Sequence, residues 1–139
     1  MKETAVQAGG MLTALWVCHL IGDWMLQTHD VASKKASDHR IRAWHCAVYC
    51  VPIGILLYLI SPFAGFLVSL IWIFATHFVI DTYVPLFHFR RLMGDPDAKD
   101  LESYKASFGT PRGFYVLVTL DQIFHLLTLV PVAVLLVLE

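Results

Sequence analysis

Three short patterns of histidine and aspartate interrupt an otherwise apolar chain. His19 precedes Asp23 by four residues, His77 precedes Asp81 by four, and Asp121 precedes His125 by four. Residues four apart share one face of a helix, so each pattern points an imidazole and a carboxylate the same way. His45 adds a fourth imidazole, with Tyr49 one turn further along its face. Imidazole nitrogen and carboxylate oxygen together suit zinc, iron and manganese. Three carboxylates around one divalent ion leave a net −1, whereas two ions leave +1, which a hydroxide would cancel. His19, Asp23, His45, His77, Asp81, Asp121 and His125 are therefore read as ligands of two divalent ions, zinc foremost and iron or manganese next. Helical bundles hold such carboxylate–histidine centres in their cores. Gln27, Tyr49 and Gln122 stand one step out, as partners that orient ligands.

The elements that must carry these residues follow from composition. The chain has 139 residues, enough for one domain. It is 58% hydrophobic and only 15% charged, against about 45–50% and about 25% in a soluble domain. Mean hydropathy is +0.65. A soluble globular domain, a disordered chain and a nucleic-acid binder with a basic face are all excluded. Three cysteines, an odd number, make no disulfide framework. Four stretches approach the roughly 20 apolar residues that a membrane crossing needs, at about 9–27, 43–60, 63–84 and 113–138. The expected fold is all-α: a four-helix transmembrane bundle, up-down-up-down, with polar loops at 28–42 and 85–112. Nine of the ten Lys and Arg lie in those two loops, which the positive-inside rule places in the cytoplasm with both termini outside. That makes the chain a multi-pass membrane protein with its polar loops in the cytoplasm.

In this topology all four sets of polar residues lie at one level, toward the cytoplasm. An aspartate at the centre of a span costs roughly 2.5–3.5 kcal/mol on insertion, so these groups face one another and not the lipid. A metal-dependent hydrolase of a phosphoester or lipid-linked substrate is the first reading, because paired divalent ions activate water and clamp phosphate oxygens. One of Asp23, Asp81 and Asp121 then acts as general base. Lys34 and Lys35, just above the site, would draw in an anionic small molecule or lipid. A divalent-metal or proton transporter is the second reading. Against it, the outer halves of the spans carry few polar residues, although an oligomer interface could complete a path. A metal that only staples the bundle is the third. Cys18, Cys46 and Cys50 are read as packing residues. Trp16, Trp24, Trp44 and Trp72 are read as packing or interfacial anchors, and His29, His39 and His88 as solvated.

The run His19-Leu-Ile-Gly-Asp23-Trp-Met-Leu-Gln27, followed by Lys34 or Lys35, His45 with Tyr49, His77-x-x-x-Asp81 and Asp121-Gln122-x-x-His125, resembles the small prokaryotic and phage membrane proteins of domain-of-unknown-function family 3307. The resemblance covers nearly the whole chain. It implies a four-helix membrane protein with a shared polar site and carries no activity with it. A looser similarity, resting on intramembrane His and Asp alone, links the chain to bacterial inner-membrane metal-dependent hydrolases, whose His-Ser step in the second helix this chain lacks.

Reporter fusions test the topology. Fusions in the loops near residues 37 and 97 are expected to report cytoplasm, and fusions at either terminus the opposite side. An exterior signal from either loop would reverse the assignment.

Overall fold

The computed structural model describes residues 2–138, all-helical with no strand among them. Four long helices dominate: α1 (Lys2–Leu20), α3 (His39–Ile60), α4 (Phe63–Ile80) and α7 (Pro111–Leu138). Each is long and apolar enough to cross a membrane, α1 counted together with the π-helical turn Ile21–Met25 that continues it. Short helices fill the polar segments: α2 (His29–Lys34), α5 (Val84–Leu92) and α6 (Leu101–Ser107). α1, α3 and α7 begin before the apolar stretches read from the sequence, and at α3 a cap supports the added polar turn. Asp38 caps α3 by accepting from the backbone N–H groups of Arg40 at 2.8 Å and Ile41 at 3.3 Å. Thr28 and Asp100 cap α2 and α6 in the same way.

The helices end where backbone chemistry demands it. Ser61 closes α3 with extended backbone (φ −119°, ψ 145°), as the residue before a proline must, and Pro62 opens α4. Pro52 and Pro131 lie inside continuous helices, where neighbouring helices make the lost backbone bond tolerable. The third apolar stretch is expected to run to about residue 84, but helix α4 stops at Ile80. Asp81, Thr82 and Tyr83 turn the chain, and Tyr83 takes a left-handed conformation (φ 62°) before α5 opens at Val84 with Pro85 in its first turn. A non-glycine residue held there costs on the order of 1–3 kcal/mol.

Burial is inverted relative to a soluble protein. Val51, Ile55, Leu59, Val68, Ile71 and Leu127 are exposed, whereas all four site histidines and all three site aspartates are buried. The interior is layered. One apolar cluster contains Leu15, Ile53, Leu57, Ile73 and Leu129. A second, reaching into α5 and α6, contains Ile80, Leu86, Phe87, Tyr104 and Leu117. On α7 the polar residues lie in sequence between the two: Leu117 precedes Asp121 and His125, and Leu129 follows them. Lipid tails are as apolar as leucine, so close packing and polar contacts, not water exclusion, must hold such helices together.

Close approach is visible at Gly22. A Cβ there would come within 2.7 Å of the Tyr49 carbonyl oxygen and 3.0 Å of its Cα. Gly22→Ala is expected to destabilise the protein by about 1–3 kcal/mol through overpacking. Gly10→Ala, with nothing within 4 Å of the added carbon, is expected to be neutral or stabilising by about 0.5–1 kcal/mol. Thermal unfolding in detergent reads both, and equal melting temperatures for the two variants would contradict the contact.

Candidate metal centre

Every long helix contributes to one buried cluster. The α1 end and its π turn bring His19 and Asp23, α3 brings His45 and Tyr49, α4 brings His77 with Asp81 at its cap, and α7 brings Asp121, Gln122 and His125. Asp23 sits inside the π turn, where the backbone is wider than an α-helix, and such turns are common at functional sites. His19 Nε2 and Asp23 Oδ2 are 4.0 Å apart, so the pair shares a face as the spacing requires, but Asp23 spends its contacts on other elements.

Asp23 Oδ1 lies 3.1 Å from His45 Nε2, and His45 Nε2 lies 3.0 Å from His77 Nε2. Asp81 Oδ2 is 3.3 Å from His77 Nε2 and 3.4 Å from His45 Nε2. The Gln122 amide donates to Asp23 Oδ2 and to Asp121 Oδ2, both at 3.2 Å. Because carboxylates can only accept, the amide nitrogen is fixed on their side and Gln122 Oε1 faces His19 Nε2 at 3.0 Å. His19 thus donates from Nε2 to Gln122, and its Nδ1 accepts from the Tyr49 hydroxyl at 3.0 Å. The Tyr49 ring stacks on His77 with centroids 3.7 Å apart.

Three sets of side chains gather one ligand atom each within 4.8 Å: Asp23 with His45 and His77, Asp81 with Asp121 and His125, and Cys46 with His77 and Asp81. The first two sets share no residue. His125 supports a metal role most directly. Its Nδ1 lies 2.8 Å from the Asp121 carbonyl oxygen, which can only accept, so Nδ1 carries the proton. In the neutral ring Nε2 then holds a lone pair, and that atom is buried with no hydrogen-bond partner. Asp121 Oδ1 is likewise buried and unpartnered. A ring nitrogen fixed through its other nitrogen by a backbone carbonyl is the usual preparation of a histidine ligand. The donor set fits a divalent ion.

Lys35 occupies a place the sequence does not foretell. It lies in the cluster and not above it, 5% exposed. Its ammonium donates to Asp23 Oδ1 at 3.1 Å, pairs with Asp81 Oδ1 at 3.0 Å and lies 3.3 Å from His45 Nε2. Burial alone would push this lysine toward neutrality. Asp81 and Asp23 outweigh it and hold the ammonium above the ordinary lysine range. Arg42 sets the loop that delivers it: its Nη1 donates to the backbone carbonyls of Lys35 at 3.0 Å and Ala36 at 3.2 Å, and its guanidinium lies over the Phe78 ring. Lys34, the other loop lysine, points away and pairs with Asp30 on the surface.

The remaining expectations divide. His19 lies in none of the three ligand sets, and both its ring nitrogens are engaged. Cys46, expected to be packing, has its sulfur within reach of His77 and Asp81. Gln27 does not bond a ligand, and its buried Oε1 lacks a partner. A cavity of about 290 Å³ adjoins the cluster, lined on its polar side by Asp23, Lys35, Asp121 and Gln122 and on its apolar side by Trp24 and Phe114. His29, His39 and His88 are exposed.

A helical chain with four candidate membrane spans around a buried cluster of ionisable side chains defines the class. The sequence profile of the family described as protein of unknown function (DUF3307) matches residues 11–139, and the chain belongs to that family. Neither a curated protein nor a solved structure matches it.

The Arg42 clamp is testable by labelling. A hydrogen bond to a charged donor is worth about 1.5–3 kcal/mol, so Arg42→Ala should release the 35–36 turn. Lys35 is expected to resist an amine-reactive reagent in the wild type and to be modified in the variant, as read by peptide mass spectrometry. Equal protection in both would remove Arg42 from this role.

Proposed function

We propose that this is a multi-pass protein of a prokaryotic cytoplasmic membrane, its spans running up-down-up-down with both termini outside, that binds a divalent metal near the inner face and hydrolyses a phosphoester, soluble or lipid-linked. The unpartnered lone pair of buried His125 Nε2, beside Asp81 and Asp121, carries the reading. Nitrogen and carboxylate donors suit zinc best, with iron and manganese as alternatives. A bound divalent ion supplies Lewis-acid polarisation of a phosphate oxygen and makes water more acidic.

The chain's own groups do the rest. The Lys35 ammonium at the cavity wall attracts and orients an anionic group. Gln122 holds the Asp23 and Asp121 carboxylates at a fixed separation through its two N–H bonds. Asp23 lines the cavity, with Lys35 and His45 against its Oδ1, so its carboxylate is placed to take a proton from attacking water. Trp24 and Phe114 give the apolar part of a lipid-linked substrate a wall to lie against. Toward Leu15, Ile53, Leu57 and Leu129 the one buried polar side chain among the described residues is Ser69, and so sparse a set of polar steps argues against transport by a single copy.

One observation favours a second reading. Lys35 itself supplies a cation between Asp23, Asp81 and His45, so the network could be an ionic staple that needs no metal.

Metal content and turnover separate the two. The detergent-purified chain should retain zinc through dialysis and hydrolyse a phosphodiester or phospholipid, with Asp121→Asn lowering turnover by at least 100-fold, about 2.7 kcal/mol or more. Folded protein that binds no zinc would leave the staple.

A further inference from the structure

The two ligand sets that share no residue are not equivalent. Asp23, His45 and His77 form the first. Two of these already face a cation, with Lys35 Nζ 3.1 Å from Asp23 Oδ1 and 3.3 Å from His45 Nε2. Asp81, Asp121 and His125 form the second, in which His125 Nε2 and Asp121 Oδ1 are buried without a hydrogen bond. Lys35 is anchored in the first set by its own backbone, since its carbonyl and that of Ala36 accept from Arg42. Charge divides the same way. Three carboxylates with one ammonium leave −2, which one divalent ion neutralises, whereas a second ion would leave an excess of +2 in a low-dielectric interior.

Resting on the metal reading above, we propose that the centre holds one divalent ion, at Asp81–Asp121–His125, and that the Lys35 ammonium is the resident cation of the Asp23–His45–His77 set. Asp81 joins the two halves, with Oδ1 on Lys35 at 3.0 Å and Oδ2 on His77 at 3.3 Å. The pair therefore works as a hybrid of metal and lysine. Two-metal sites clamp an anion between two divalent ions. Here the clamp is one ion and one tethered ammonium, both beside the cavity that Lys35 and Asp121 line. The ligand class that fits is a phosphate ester or phosphodiester with one oxygen toward each cation. Tethering also fixes one of the two cations whatever the supply of metal.

Zinc alone is the probe. The full chain in detergent is saturated with zinc, freed of excess and analysed for zinc per chain. The wild type and Lys35→Arg are expected to hold one, Lys35→Met two, and His125→Gln none. Two in the wild type, or one in Lys35→Met, overturns the role of Lys35 while the metal centre stands. None in folded wild type overturns both. If Lys35→Met does not fold, His45→Gln decides: one zinc retained supports the assignment, and its loss places the ion in the lysine's set and overturns it.

Discussion

Buried charge must be matched by buried charge or by directed hydrogen bonds, and that constraint governs this structure. Three carboxylates lie inside a bundle whose outer surface is apolar. Breaking one buried pair by removing a partner typically costs 3–5 kcal/mol, and Asp23 and Asp81 are met by groups from elsewhere in the chain, whereas Asp121 is met within α7 by Gln122 and His125. Asp23 is met by Lys35, His45 and Gln122, and Asp81 by Lys35, His45 and His77. Helix–helix recognition follows from the same need, because apolar packing alone discriminates poorly among helices in lipid. The residues that define the chemistry also define which helices meet.

Local backbone features make those contacts reachable. The π turn at Ile21–Met25 carries Asp23 toward α3, and glycine at position 22 lets that turn lie against the Tyr49 backbone. The turn at 81–83 ends α4 so that Asp81 caps the helix, its backbone N–H bonding the His77 carbonyl. The left-handed Tyr83 then redirects the chain into α5, and Tyr83 itself lines the cavity. The strain at Tyr83 is held in place by the packing of its ring against Phe108.

Much of this was legible in the sequence for simple reasons. Hydropathy marks four long apolar helices, and four-residue spacing marks the His–Asp faces, since both signals are local. The gathering of Asp23, His45, His77, Asp81, Asp121 and His125 followed from the expense of turning them to lipid. What escaped depends on tertiary reach. Lys35 has a long flexible stem, and nothing in its neighbours distinguishes it from exposed Lys34 until Arg42 is seen gripping its carbonyl. Cys46 sits off the His45 face of its own helix, yet α4 brings His77 and Asp81 to its sulfur. His19 has the spacing of a ligand but is satisfied by Tyr49 and Gln122, whose hydrogen bonds no linear pattern reveals. The π turn likewise breaks the regular spacing from which a sequence reading must start.

The proposed metal centre takes its oxygen and nitrogen donors from buried histidine and aspartate side chains. X-ray absorption of the zinc-loaded protein tests it most directly. The expected result is a first shell of nitrogen and oxygen at about 2.0–2.2 Å with imidazole scattering behind it. A sulfur shell near 2.3 Å would move the ion to Cys46, and a shell without imidazole would contradict the centre altogether.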